Sequence, residues 1–281
     1  MKLALNFNGQ THQAFAYTGT KPLLTEQATL VFIHGAQHDH SVWILQSRYF
    51  AHHGYNVLAV DLPGHGKSEG SALGQVADNA AWLLALCSAL KLSRCHWIGH
   101  SMGSLIALEA AAMRPEITAS LALVGTAFPM RVSAALLNAA QTDEQQAFSM
   151  INFWSHSRLS PQPGAPGPGF SVFVQNRRLM ERQSKGVLFT DFNACNIYNN
   201  GLVAASAITA PTTLILGAND AMTPPKAAAN LAGAITHSAT ALIEDCGHAL
   251  MAEQPHRVLQ ALKTHLSTTT AKAAIQVQAT A

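Results

Sequence analysis

Gly99-His100-Ser101-Met102-Gly103 follows the apolar run Cys95-His96-Trp97-Ile98 and opens the small-residue run Leu105 to Ala112. The first run reads as a buried strand and the second as a buried helix ending near Arg114-Pro115. A serine held between strand and helix in so tight a turn takes strained backbone angles, which cost roughly 1–3 kcal/mol and persist where function holds them. Glycines at 99 and 103 let the helix pass close to the neighbouring strands, so that the Ser101 hydroxyl stands free above the sheet. The spacing is that of a G-x-S-x-G nucleophile elbow, although a purely structural turn can share its composition.

A serine hydroxyl is a poor nucleophile at neutral pH and needs a histidine to take its proton and an acid to orient that histidine. Both are expected downstream, in the order Ser, acid, His. Of the 14 histidines, His248 follows the apolar run Ala241-Leu242-Ile243 in a loop marked by Gly247, beyond the carboxyl end of a strand, where sites gather in open α/β sheets. For the acid, Thr213-Leu214-Ile215-Leu216 runs into the turn Gly217-Ala218-Asn219-Asp220, and Asp220 is the choice. Asp220 can instead cap a helix beginning near Pro224-Pro225, and Asp245 is a lesser competitor for the acid. No carboxylate follows the earlier strand Leu121–Val124. A tetrahedral intermediate needs two converging N–H donors. Met102, at the start of a helix, offers one. The loop His34-Gly35-Ala36-Gln37 offers the other through Ala36, with His34 bracing the turn.

These segments, together with Asp61-Leu62-Pro63-Gly64-His65-Gly66-Lys67-Ser68, resemble the α/β-hydrolase superfamily in content and order over nearly the whole chain. The resemblance implies an eight-stranded, mostly parallel sheet flanked by helices, with a helical cap inserted after strand 6. It also implies Ser101 as nucleophile, His248 as base, Asp220 as acid, and the Ala36 and Met102 amides as oxyanion hole. Asp61 falls in a turn that the resemblance makes structural. Ser104 stands where many relatives carry a second glycine, so a polar contact near the elbow is expected to differ.

The strand and helix runs alternate, as in a parallel doubly wound sheet. The core is expected at residues 1–127 and 202–266. A helical cap is expected over 128–201, containing the Pro/Gly-rich stretch 161–169, and a small, polar, disordered tail over 267–281. The cap carries the apolar residues that shape a pocket. Phe153 and Trp154, with His34 and His100, are the residues expected at the substrate, His100 by modulating access. Arg177, Arg178 and Arg182 read as a solvated helix face rather than a carboxylate receptor.

Composition narrows the partners to a small-molecule substrate. A chain of 281 residues with 48% hydrophobic content buries one large core with a cap. Charged residues are 11% and the formal net charge is +2, so no electrostatic footprint for nucleic acid exists. Cys87, Cys95, Cys195 and Cys246 show no C-x-x-C spacing, and His38, Asp39 and His40 lack a further clustered ligand, so neither a metal nor another cofactor is expected. No run reaches the length of a membrane span. The first seven residues alternate like a strand rather than a signal peptide, which makes the cytoplasm the default.

The chemistry these residues imply is cleavage of a small, largely apolar carboxylic ester through an acyl-enzyme. A carbon–carbon bond hydrolase, a thioesterase or an acyltransferase uses the same triad, and a small-molecule receptor on the same fold needs no turnover. Serine at 101 argues against epoxide hydrolases and haloalkane dehalogenases, which use a carboxylate there.

Overall fold

Along β3 (Thr29–Ile33), Leu30 and Phe32 enter one apolar layer while Val31 and Ile33 enter the other. Along β4 (Asn56–Asp61), Val57 and Ala59 likewise part from Leu58 and Val60. Successive side chains of a strand point to opposite faces, so a sheet covered on both faces demands the continuous apolar runs seen in the sequence. The computed structural model describes residues 1–157 and 171–279, and the expected Pro/Gly-rich stretch 161–169 lies outside them.

The sheet also contains β1 (Lys2–Phe7), β2 (Gln10–Tyr17), β5 (Cys95–His100), β6 (Thr118–Val124), β7 (Thr212–Gly217) and β8 (Ser238–Ile243), in the order β1-β2-β4-β3-β5-β6-β7-β8. The pairings β1–β2 and β2–β4 are antiparallel and all others parallel. Asn8 and Gly9, both at positive φ, form the two-residue turn that folds β1 onto β2, as such a turn favours an antiparallel hairpin. The eight-stranded, mostly parallel α/β architecture expected from the sequence is the one observed.

The helices are α1 (Ile44–Ala51), α2 (Val76–Ala89), α3 (Met102–Met113), α4 (Ala134–Thr142), α5 (Glu144–Ser155), α6 (Val172–Glu181), α7 (Val187–Ile197), α8 (Gly201–Ser206), α9 (Ala229–Ala234), α10 (Leu250–Glu253) and α11 (Pro255–Ala279). α2, α3, α8 and α9 contribute to the layer on one face of the sheet, while α1 and α11 cover the other. Helices α4 to α7 lie in the chain between β6 and β7 and build an apolar cluster of their own from Leu136, Phe148, Ile151, Met180, Leu188 and Phe192. Side chains at their starts fix where three of them begin. Ser133, Asp143 and Ser171 each accept a backbone N–H from the first turn of α4, α5 and α6.

α11 docks through Val258, Leu262 and Leu266, one turn apart, and continues as helix to Ala279. The sequence suggests a structureless tail from 267. The difference arises because a helix satisfies its own backbone hydrogen bonds without a packing partner, and the Ala-, Lys- and Gln-containing segment favours it. Inside the second layer a polar chain crosses the sheet. Ser120 on β6 lies 2.7 Å from His96 Nδ1 and 2.9 Å from His265 Nε2, and Thr213 lies 2.8 Å from His265 Nδ1.

Candidate active site

Ser101 joins β5 to α3 with φ +53° and ψ −121°, in a region that residues other than glycine rarely enter. Close packing around it holds this conformation. A Cβ on Gly99 would stand 2.0 Å from the Gly103 carbonyl oxygen, and one on Gly103 would stand 2.4 Å from that of His34. The Ser101 N–H donates to the Val124 carbonyl at 2.9 Å, which anchors the turn to β6. Ser104 differs from the second glycine of many relatives by a hydroxyl. That hydroxyl bonds the Ser101 carbonyl at 2.5 Å and the Thr126 hydroxyl at 2.9 Å. Met102 is the first residue of α3, so its N–H has no partner within the helix and carries the positive end of the dipole.

The loops after β7 and β8 bring Asp220 and His248 together. Asp220 Oδ2 accepts from His248 Nδ1 at 2.8 Å, and both residues are buried. Asp220 Oδ1 accepts the backbone N–H groups of Met222 and Thr223 at 2.8 and 2.7 Å. The carboxylate therefore closes the turn before Pro224 with one oxygen and holds the imidazole with the other, while the helical turn Pro225–Ala228 begins without a side-chain cap. Although burial opposes ionisation, the neighbouring His248 and the Thr223 hydrogen bonds hold the Asp220 carboxyl below its ordinary range. Asp245, the competing acid, is exposed.

Thr223 completes this pair and went unnoticed in the sequence. Its hydroxyl donates to Asp220 Oδ2 at 2.7 Å and lies 3.0 Å from both His248 Nδ1 and the Gly125 carbonyl. The local signal was Asp followed three positions later by Thr, an arrangement that favours a self-bonded turn.

The loop after β3 meets the serine directly. A Cβ on Gly35 would lie 3.1 Å from Ser101 Cβ and 3.1 Å from His100 Nδ1, so the backbone before Ala36 runs against the elbow. His34 braces this turn from beneath. Its Nε2 accepts the Leu62 N–H at 3.1 Å and its Nδ1 donates to the Gly35 carbonyl at 2.8 Å, which fixes one neutral tautomer. Burial, reinforced by His65, pulls its pKa down to about 4. With both nitrogens bonded to backbone, His34 supports the turn rather than touching substrate as the sequence reading expects. His100 is likewise turned inward, 2% exposed, and its Nε2 donates to the His248 carbonyl at 2.9 Å.

Phe153 and Trp154 part company. On α5 the buried positions are Ala147, Phe148, Ile151 and Ser155, and Phe153, two residues beyond Ile151, turns to the opposite side by helical geometry. It is 62% exposed and borders an outer groove of ≈ 510 Å³ with Val174, Arg177 and Glu181. Phe153, expected at the substrate, thus faces this outer groove. Trp154 does pack on the apolar cluster of α4 to α7, which Ala36 and Met222 also join. That cluster thus abuts the loops carrying Ala36 and Asp220.

A second set of buried charges ties α6 and α7 to the same loop. Asp191 Oδ2 accepts the Gln37 N–H at 2.8 Å and His65 Nε2–H at 2.9 Å, while Gln37 Nε2 donates to the Met180 carbonyl at 3.0 Å. Burial works against a charged His65, yet Asp191 and the Pro63 carbonyl together raise its pKa. Arg182 grips Asp39 with hydrogen bonds of 2.7 to 2.9 Å, and Arg177 pairs with Glu181 at 2.6 Å. Asp39, His40 and Asp61 cluster closely enough to hold a cation. Their oxygens, however, are taken by Arg182, Ser41, His40 and the Lys67 N–H. None of these long-range pairs, up to 154 positions apart, leaves a local pattern in sequence.

The chain and its fold have known counterparts. Residues 28–255 match the family described as alpha/beta hydrolase fold. The (E)-2-((N-methylformamido)methylene)succinate hydrolase of Acinetobacter baylyi is 25% identical over 251 residues, covering 87% of this chain and 92% of its own. An esterase of Mycobacterium tuberculosis is 26% identical over 259 residues, covering 85% and 83%. Among solved structures, a thermophilic esterase from Thermogutta terrifontis superposes with a TM-score of 0.81 at 21% identity, over 96% of this chain and 98% of its own. No helix among the described residues is long and apolar enough to cross a membrane. With a strained serine at a strand–helix turn, a buried Asp–His pair on the following loops and a family match over most of its length, this chain belongs to the α/β hydrolases and is a hydrolase.

Proposed function

We propose that the protein cleaves small, largely apolar carboxylic esters by a serine mechanism. The observation that carries this reading is the 2.8 Å bond from His248 Nδ1 to Asp220 Oδ2, on a pair of loops tied to the Ser101 turn where His100 Nε2 donates to the His248 carbonyl at 2.9 Å. Ser101 attacks the carbonyl carbon while His248 takes its proton through Nε2, the nitrogen not committed to Asp220. Asp220 keeps the tautomer in place and stabilises the imidazolium. The Ala36 and Met102 amides receive the oxyanion, and one such donor is worth about 2.7–4 kcal/mol in the transition state. His248 returns the proton to the departing alkoxide, then activates water to release the acid from the acyl-enzyme. Helices α4 to α7 act as the cap, and their apolar cluster beside Ala36 and Met222 supports an apolar acyl group.

The test is hydrolysis of p-nitrophenyl esters of increasing acyl length by the wild type and by Ser101→Ala. Turnover by the wild type that falls about 10⁶-fold in the variant is expected, and the preferred chain length sizes the acyl pocket. Activity retained in Ser101→Ala, or absent from the wild type, overturns the reading. The Acinetobacter baylyi relative acts on an N-methylformamido compound, which supports including p-nitroanilides as an amide arm of the same panel.

A further inference from the structure

Two histidines border the site and are linked through a pair of asparagines. His38 follows the Gly35 turn, and its backbone N–H closes onto the Gly35 carbonyl at 3.3 Å. His156 stands just past α5, and its backbone presses on the residue before His248. A Cβ on Gly247 would lie 2.8 Å from the His156 carbonyl carbon, and the Ala249 N–H donates to the Ser155 carbonyl at 2.8 Å.

The link fixes where the protons sit. The Phe173 carbonyl can only accept, so Asn152 presents Nδ2 to it at 3.1 Å. Asn152 Oδ1 then accepts from Asn176 Nδ2 at 3.0 Å, and Asn176 Oδ1 accepts from His38 Nε2–H at 3.0 Å. The Asn152 backbone carbonyl accepts from His156 Nδ1–H at 2.8 Å. Burial, with a further push from His248, lowers the pKa of both rings. Each ring is therefore neutral, with a lone pair on its remaining nitrogen.

His38 Nδ1 and His156 Nε2 are both buried and have no hydrogen-bond partner among the described residues. Gln37 Oε1 and His100 Nδ1 share that condition. With their opposite nitrogens donating to the Met180 and His248 carbonyls, they too can only accept. Four buried acceptors, on the loop after β3, on the elbow and past α5, thus lack a donor among the described residues, and an unmet buried acceptor is costly.

Resting on the ester-hydrolase reading, we propose that His38 Nδ1 and His156 Nε2 form a leaving-group subsite for an alcohol that carries a hydrogen-bond donor of its own, O–H or N–H. The departing oxygen receives its proton from His248, so the leaving group lies on the side that His156 borders. The apolar cluster at Ala36 and Met222 takes the acyl side. An alkyl or ether alcohol leaves both lone pairs unmet, and a site built to bond a substrate hydroxyl discriminates strongly against the analogue without it.

The experiment compares kcat/KM for 2-hydroxyethyl butanoate with that for 2-methoxyethyl butanoate, whose ether oxygen only accepts. The 2-acetamidoethyl ester separates N–H from O–H donors. The wild type is expected to favour a donor-bearing ester at least about tenfold, and the ratio to fall below about threefold in His38→Phe and His156→Phe. Binding of the same esters to Ser101→Ala, followed by tryptophan fluorescence, is expected to show the same order. It also decides the matter if a Phe variant fails to fold. Equal wild-type rates and equal binding overturn the subsite, with water meeting the lone pairs, and leave the esterase reading intact. A preference that persists in both folded Phe variants overturns the assignment to these histidines. If neither these esters nor the p-nitrophenyl esters are cleaved, the esterase reading fails and the subsite falls with it.

Discussion

Asp191 on α7 accepts the backbone N–H of Gln37 at 2.8 Å, binding a helix of the inserted region to the loop after β3. Gln37 sits at φ +57°, a conformation that a side chain other than glycine holds only when its surroundings enforce it. The same carboxylate oxygen takes His65 Nε2–H at 2.9 Å. Asp191→Asn removes the charge that raises the His65 pKa and leaves a weaker acceptor for two donors. Breaking a buried pair by removing one partner costs about 3–5 kcal/mol, so a lower urea midpoint is expected. A fall in kcat larger than the rise in KM should accompany it as Ala36 loses its setting. Wild-type values for both would show that Asp191 does not hold the turn.

The two acids that compete in the sequence are separated by one substitution each. Asp220→Asn should lower kcat about 10⁴-fold through loss of the correct imidazole tautomer. Asp245→Asn, at an exposed position, should stay within about threefold. Steady-state kinetics on a p-nitrophenyl ester measures both, and the reverse order would move the acid to Asp245.

Gly103 and Gly35 flank the serine under different constraints. A Cβ at 103 would stand 2.4 and 2.5 Å from the carbonyl oxygens of His34 and Ile33, and backbone cannot yield that far without moving β3. Gly103→Ala is expected to lose about 1–3 kcal/mol or more of stability. At Gly35 the nearest atoms are at 3.1 Å, so Gly35→Ala should fold with a melting temperature near that of the wild type. Displacement of Ser101 by a fraction of an ångström should still cost about 10- to 100-fold in kcat/KM. Equal losses of stability in the two variants would contradict this division.

Acid should destabilise the fold before its carboxylates titrate. Burial lowers His34, His96 and His265 to about 4 from 6.5. Between those values the unfolded chain binds more protons than the folded one, so stability rises with pH and is lost as pH falls from 6.5 toward 4. Each group contributes on the order of 1–2 kcal/mol to the loss by pH 5. His65 acts in the opposite sense. Its pKa is raised, so its contribution is complete below the unfolded value and fades as pH rises through the folded one. Urea midpoints at pH 7 and pH 5 check the balance, and an unchanged midpoint would mean that the three rings are not held neutral.

Local physics made much of this protein legible in its sequence. The strand β5, the turn at Ser101 and the helix α3 follow from neighbours along the chain, because apolar runs, glycine placement and helix ends are short-range properties. The same holds for Asp220 and His248, each placed by a strand and a turn. What joins residues far apart in the chain had no such signature. Asp191 with Gln37 and His65, Thr223 beneath His248, and the His38-Asn176-Asn152-His156 relay depend on how α5 to α7 settle over the loops. Phe153 and Trp154 are adjacent in sequence and equally apolar, yet a helix sends neighbours about 100° apart. The sequence by itself determined the αβ alternation and the strand ends at which Ser101, Asp220 and His248 stand. Only the tertiary structure decided which buried polar atoms found partners, since a hydrogen bond of 3 Å is selected by the packing of whole elements.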